Sequence, residues 1–482
     1  MKKTAYIVLT SVLLLCSATV LSAQQNLRSA YFLDGYTYGY KMNAAFAPER
    51  GFFAIPVAGN LGIGAESSLA LSDLLYPTAN GGLTTFLNSS VPADDFLSRI
   101  DEINKLNLNV NASIVALGFR TGKAFHTFDV SLRTDVGMQL PYSLFSFLKE
   151  GNAGGQSQWN LAGVGAKAEA RLEIAYGYSR SISDWMRVGA RVKLIKGITR
   201  ADINIDNLDL QMNDQAWSAS SHGSAKINAP LTVGLQEGSR RIDFDNISLP
   251  SSADGFVNYL NEHSNTGFAV DLGAAFDFLD YFTASVAVND LGVINWSKTM
   301  NAEMPQGEWT FDGLGTIQTG KDNDSSLSDQ LSGLGDELMN LVAFEMIDEG
   351  IKESSMLSAT VHAGFEARMP FYERMSFGLL GTQRIDGDYS WTEGRLSMNL
   401  APTNWFSLAA TYAISDFGQS AGGVINFHLP GINLYVGTDS FLPMTNVTPQ
   451  FIPIDSWNTN ISLGLNLAIG KAVGRFQTTT DK

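Results

Sequence analysis

The sequence predicts an all-β chain, a transmembrane antiparallel β-barrel of about 14 strands with a few short amphipathic loop helices, and three observations lead there. The first is strict alternation. Phe128, Val130, Leu132, Val136 and Met138 are interleaved with Asp129, Ser131, Arg133, Asp135 and Gly137, one apolar face and one wet one, as a half-buried strand requires. The second is recurrence: such segments return along the chain at about ten residues each, the length a tilted strand needs to cross a bilayer. The third is that beyond the N-terminal region no run of about 18 apolar residues offers a transmembrane helix. Mean hydropathy is +0.00, with 46 glycines, which suits a wall whose every second residue faces water.

Residues 1–23 have the order of a secretory signal: Lys2 and Lys3, an apolar run over 5–15, then Ser17, Ala18, Ser22 and Ala23. Cleavage after Ala23 is expected, placing the mature chain in the outer membrane of a Gram-negative bacterium. Cys16 is the single cysteine. It follows Leu15 rather than a small residue, which argues against a lipoprotein, and its loss with the signal excludes disulfides and thiol chemistry.

The clearest alternating segments are 125–140, 168–181, 186–203, 267–279, 282–294, 358–370, 375–385, 395–401, 406–414, 422–429, 432–438 and 460–469. Weaker ones cover 59–71, 106–120 and 208–225. Segments 168–181 and 186–203 read as a hairpin turned at Ser183 and Asp184, which puts Arg171, Glu173, Arg191 and Lys193 on one face. A basic side chain facing lipid at mid-depth costs about 2 to 4 kcal/mol, so that face is the lumen. The same reasoning sends Arg133, Asp135, Asp271, His362, Glu366 and Arg368 inward and Val361, Ala363, Phe365, Met369, Ile461, Leu463, Leu465 and Leu467 toward lipid. Trp185, Trp296, Trp391, Trp405 and Trp457 fall at or beyond strand ends, where an interfacial girdle places them. Three stretches show helical spacing instead: 93–106 with Phe96, Ile100 and Ile103; 142–149 behind Pro141; and 326–349 with Leu327, Leu331, Leu334, Leu338 and Leu341. They read either as packed loops or as a lid over the lumen. Residues 51–470 would form the barrel and 471–482 a tail.

Charge narrows the partners. The chain carries −16, from 32 basic and 48 acidic residues, and such an excess repels nucleic acid. The five histidines, His126, His222, His263, His362 and His428, have no metal-ligand spacing, and no nucleotide-binding loop, zincin helix or nucleophile elbow occurs. No enzyme activity, cofactor or metal is expected. Asp322, Asp324, Ser326 and Ser328 have calcium-loop spacing, but Leu327 stands where the tight turn needs glycine. The lumenal charges could line a permeation path or neutralise one another in a filled barrel.

Residues 38–48 (YGYKMNAAFAP), 267–275 (GFAVDLGAA) and 285–296 (SVAVNDLGVINW) together resemble a group of Bacteroidota outer-membrane barrels of unknown function, similar to PorV and to the FadL long-chain fatty-acid transporters. That resemblance implies a FadL-like, monomeric barrel with residues 24–50 folded into the lumen as a hatch around Asn43, Phe46 and Pro48. FadL relatives show Asn-Pro-Ala near the mature N-terminus, where this chain reads Asn43-Ala44-Ala45. It also implies binding or passage of a hydrophobic small molecule or, as in PorV, docking of exported proteins or another secretion-system or surface partner. A structural barrel or surface receptor is a further alternative. Asn289, Asp290 and Gly292 read as a turn or bulge.

Overall fold

The computed structural model describes residues 26–472, apart from 57, 79–81, 152–156, 213–216, 237, 249–251, 312–342 and 442–457. Strand pairing builds a closed wall. It opens with β1 (Gly51–Ala54) and β2 (Leu61–Ser67), two pieces of one stave. A small hairpin of β3 (Leu75–Pro77) and β4 (Leu83–Thr85) follows. Next come β5 (Ile103–Thr121), β6 (Ala124–Pro141), a short β7 (Gln158–Asn160), β8 (Val164–Ser181), β9 (Met186–Met212) and β10 (Trp217–Asn228). A second small hairpin joins β11 (Thr232–Leu235) to β12 (Ile242–Ser248). The wall resumes with β13 (Thr266–Phe278), β14 (Phe282–Phe311), β15 (Glu345–Met356), β16 (Ala359–Met369), β17 (Tyr372–Ile385) and β18 (Trp391–Thr403). It ends with β19 (Phe406–Ser415), β20 (Gly418–Leu429), β21 (Ile432–Phe441) and β22 (Thr459–Ile469).

Around the ring the antiparallel order is β1/β2, β5, β6, β8, β9, β13, β14, then β16 through β22, and β22 returns to β1 and β2. That is a closed ring of 14 staves, so no strand edge is left at bilayer depth. Short turns such as Thr121↔Ala124, Phe278↔Phe282, Thr403↔Phe406 and Leu429↔Ile432 share one end. Long connections share the other. In bacterial barrels the short turns are periplasmic. Each face follows its alternation: Asp129, Ser131, Arg171 and Glu173 are buried inside, whereas Ile174, Tyr176, Val192 and Leu194 stand exposed on the lipid side.

Several expectations change. The stretch 208–225 is the hairpin between β9 and β10, not one strand, because the chain reverses between Met212 and Trp217. β9 and β14 run 27 and 30 residues, about three times what the hydrocarbon core needs; their upper halves pair with β10 and β15 as a sheet standing beyond the bilayer. Of the helix expected over 93–106 only Ala93–Leu97 is helical; β5 starts at Ile103, where Ile103–Thr121 regains alternation. The helix expected over 326–349 lies outside the described residues up to 342, and its end is strand from Glu345 onward, as the edge of β14 captures it. The spacing 322–328 lies outside the described residues, as do Trp457 and residues 473–482. Helix Tyr142–Glu150 is present. A helix not anticipated, Ala253–Glu262, starts where the Ser252 side chain accepts the Gly255 N–H.

Trp296 and Trp391 leave the expected girdle. Trp296 is buried mid-strand in β14 with Ile195, Ala269, Ile294 and Leu357, and its indole N–H donates to Ser355 Oγ at 2.8 Å. Trp391 faces the lumen beneath the Arg28 guanidinium, 4.9 Å from the ring centroid. Trp185 and Trp405 are exposed at short turns and stack on Phe276 and Phe427.

Candidate functional site: the plugged lumen

Residues 26–47 occupy the lumen, and 48–50 lead out to the short-turn rim. They form two 3-10 turns, Arg28–Ala30 and Thr37–Lys41, joined by irregular chain. Irregular backbone at membrane depth survives only where protein surrounds it, and here almost every residue from Leu27 to Phe46 is buried. Its upper end is held by carboxylates of the wall. Asp439 accepts the successive backbone N–H groups of Arg28 and Ser29 at 2.9 and 2.6 Å, while the Arg28 guanidinium reaches Glu66 at 2.5 Å and Glu393 at 3.3 Å. Arg395 donates to Ser29 Oγ and to Thr411 Oγ1. Lower down, an aromatic cluster of Tyr31, Phe32, Tyr36, Tyr38, Tyr40 and Phe46 packs with Phe52 and Tyr435 of the wall. Asn433 and Ser407 bind the carbonyls of Gly35 and Asp34 at 3.1 and 2.7 Å, and Arg120 that of Pro48 at 3.1 Å.

Asn43 is fully buried. Its amide donates to Tyr31 OH at 3.2 Å and its carbonyl accepts the Ala45 N–H at 2.9 Å, pinning the loop that follows Lys41. Asn289 holds the neighbouring Met42 carbonyl at 2.8 Å. The wall is carved to receive this chain. A Cβ at Gly189, Gly273, Gly364, Gly378, Gly422 or Gly437 would lie within 3 Å of Ala44, Asn43, Tyr31, Phe32, Ser29 or Leu27 respectively. These glycines sit on the lumenal side of β9, β13, β16, β17, β20 and β21, where a larger residue would otherwise continue the wet face.

What the hatch leaves is bridged by charge. Arg171 pairs with Glu169 at 2.6 Å, Glu173 at 2.8 Å and Asp135 at 3.1 Å. Arg191 pairs with Asp129 at 2.6 Å and Asp271 at 2.8 Å; Lys193 pairs with Asp271 at 2.8 Å and with Asp290; Arg133 pairs with Asp290 at 2.8 Å. Lys41 of the hatch joins through Asp129 at 3.3 Å. Arg384 of β17 reaches Asp135 of β6 at 3.2 Å, and Lys167 reaches Asp386. Seven cations meet seven carboxylates, so the network is neutral, which buried ionised groups require. β6 and β17 are six staves apart in the ring of 14, so the Asp135–Arg384 pair spans the lumen from wall to wall. Beside it a polar cavity lined by Asn26, Arg28, Arg133, His362 and Arg384 has about 20 Å³, room for a water.

The turn between β17 and β18 closes the loop end. Tyr389 fits against Gly137 and Gly165, where a Cβ would lie within 3 Å of its ring and of its hydroxyl respectively, and Lys105 holds the Ser390 carbonyl at 2.7 Å. Beyond it, Phe86, Val91, Phe96, Leu97, Ile100 and Phe145 pack as an apolar cluster between the first long loop and helix Tyr142–Glu150. The β9–β10–β14–β15 extension has its own core of Ile242, Met300, Met304 and Phe344. At its base Tyr259 donates to the Ile198 carbonyl, and burial pushes that phenol up to about 12.

The sequence-derived residues fall into two groups. Arg133, Asp135, Arg171, Glu173, Arg191, Lys193 and Asp271 come together in the network just described. Glu366 and Arg368 lie apart, Arg368 pairing with Glu366 at 3.8 Å and with Asp34 of the hatch at 3.6 Å. Sequence reasoning did not single out Lys41, Asp129, Arg384 or Asp386, although Asp129 has the inward parity that marked Arg133. The sequence marks Asp290 as a turn or bulge residue. It is one, with φ +62° where β13 and β14 slip register between Val270 and Leu272, and the bulge also aims its carboxylate at Lys193 and Arg133.

Solved structures with similar architecture include the toluene transporter TodX of P. putida, at 8% identity and TM-score 0.37, covering 94% of this chain and 96% of that one. A Pseudomonas aeruginosa FadL homologue is similar at 12% identity and TM-score 0.39, over 93% of this chain and 96% of its own. The translocator domain of autotransporter NalP from Neisseria meningitidis is similar at 6% and 0.32, over 88% and 89%. No curated protein matches the sequence. The model of a family of unknown function, DUF5723, matches residues 44–439, most of the barrel and the end of its hatch, and the chain belongs to that family.

Proposed function

We propose that this protein is an outer-membrane barrel that works closed, with its hatch as a permanent plug and its loop end as a docking platform for an exported or surface protein, an adaptor of the PorV kind. The observation that carries the reading is the wall-to-wall bridge of Asp135 and Arg384 above a hatch seated in glycine recesses. Passage of even a small solute would require the hatch to leave several buried ion pairs, and separating one such pair costs about 3–5 kcal/mol. The docking side is supported by the tall extension, on which Leu235, Ile247 and Ile347 are exposed, together with Phe256 and Val257 of the neighbouring helix.

A photo-crosslinker at Phe256 or Leu235 in intact outer membranes tests this. A single protein captured in stoichiometric yield from both positions, and not from lipid-facing Leu396, is the expected result. A second reading, binding or passage of a hydrophobic small molecule, is favoured by the apolar cluster around Phe96 and Phe145 at the rim of the mouth. Mass spectrometry of the protein purified in mild detergent separates them. A stoichiometric apolar ligand, lost on Phe96→Asp, with no protein captured, would favour the second and overturn the first.

A further inference from the structure

The short-turn rim is uneven in charge. Five neighbouring staves are level there: Gly51 of β1 pairs with Ile469 of β22, Phe52 with Gly118 of β5, Phe119 with His126 of β6, and His126 with Tyr178 of β8. Within a few residues beyond that row lie Lys471, Arg50, Arg120, Lys123 and Arg180. Among the described residues none of the five pairs with a carboxylate, whereas the seven cations of the lumenal network each do. Arg50 and Arg120 spend their N–H groups on the carbonyls of Leu429 and Pro48, at 3.2 and 3.1 Å, which leaves their charge unneutralised; Arg120 lies over the ring of lumenal Phe125 at 5.4 Å and so borders the arc from the inner side. Lys123 and Arg180 are exposed. The carboxylates on this arc are Glu49, which lies 4.0 Å from His428, and Asp184. Across the rim the pattern differs: Asp277, Asp280 and Glu373 accompany Arg368 and Arg374, and Arg374 is tied to the Ala401 and Pro402 carbonyls.

Depth is set by the aromatics above the arc. Phe119, Tyr176 and Tyr178 are exposed on the lipid side, and His126 bridges Thr121 Oγ1 and Tyr176 OH at 2.7 and 2.8 Å. Rings of this kind mark the boundary between acyl chains and headgroups. Arg180 continues the outward face of Tyr176 and Tyr178 two residues further, about 7 Å at strand rise, where the phosphates lie. We propose that this arc binds anionic phospholipid headgroups of the leaflet at the short-turn end. A chain of net charge −16 repels anions as a whole, so an uncompensated cationic arc at headgroup depth selects a partner held there by its acyl chains.

Native mass spectrometry of the full-length protein in detergent, titrated with phosphatidylglycerol or with phosphatidylcholine of the same chains, tests this. Phosphatidylglycerol adducts should exceed phosphatidylcholine adducts several-fold, fall to the phosphatidylcholine level in the Lys123→Gln, Arg180→Gln double variant, and persist in Arg374→Gln. Heat-modifiable gel mobility confirms that each variant is folded, and the two single variants serve if the double one is not. Equal adducts of both lipids, or an unchanged double variant, would overturn the proposal. So would displacement of the lipid by millimolar inorganic phosphate, which would assign the arc to the free ion.

Discussion

At the scale of single residues, the lumen is organised by cations that each hold more than one carboxylate. Arg191 lies between Asp129 and Asp271 and also faces the Tyr40 ring of the hatch at 5.2 Å. Its replacement by Met would leave two carboxylates without their shared cation, and a loss of about 3–5 kcal/mol in urea unfolding is expected. Adding Asp271→Asn should recover part of that loss, because the double change restores the neutrality of the network while Lys193 keeps Asp290 and Asp129 keeps Lys41. A loss under about 1 kcal/mol for Arg191→Met would mean that water rather than pairing solvates these groups. Alternation in the sequence put Arg191, Lys193, Arg171 and Glu173 on one face, because a period of two is local. The Arg171–Glu173 pair lies within that local pattern, but the pairs across the lumen were not legible: Arg133 meets Asp290 from a strand 157 residues away, and no local pattern carries such a distance.

At the scale of elements, hatch and wall are shaped to one another. Gly189 and Gly273 leave room for Ala44 and Asn43, so Gly189→Val should displace the hatch while the barrel, whose ladder is untouched, still folds. The expected readout is faster hydrogen exchange over residues 41–46 with retained heat-modifiable mobility; unchanged exchange would show that the recess is incidental. The extension is a second such unit. Deleting residues 232–248 removes a hairpin that, among the described residues, joins the extension through Arg241↔Glu345, the Arg240–Met346 and Ile242–Phe344 backbone bonds and the core around Ile242. That deletion should leave the 14 staves intact and abolish capture at the loop end. The length of β9 and β14 was missed because the apolar alternation breaks along each strand: in β9 it changes phase at Asp206 and Asn207, where β9 and β10 slip register, and in β14 it is interrupted over 297–299, where β14 and β15 do. Trp296 misled in the same way. It lies just past the alternating stretch 282–294 and so read as an interfacial ring, whereas β14 runs on and buries it.

For the whole molecule, class and closure were readable from the periodicity, whereas a hatch in the lumen was expected only from the family resemblance. Alternating segments of bilayer length, with charges confined to one face, indicate a transmembrane barrel, because lipid tolerates no unpaired backbone and few charges. The strand count followed to within the ambiguity of 208–225. Filling the lumen is a different matter: the hatch follows no periodicity, and its fit depends on glycines from six staves that are scattered over some 250 residues. The result is a ring whose interior is neutralised and occupied, and whose distinctive surfaces lie at its two ends. Single-channel recording in planar bilayers tests that most directly. The wild-type protein should show no conductance above background, and a variant lacking residues 27–48 with Arg384→Ala should conduct ions in discrete steps. Steady conductance by the wild type would contradict the closed lumen and, with it, the docking function built upon it.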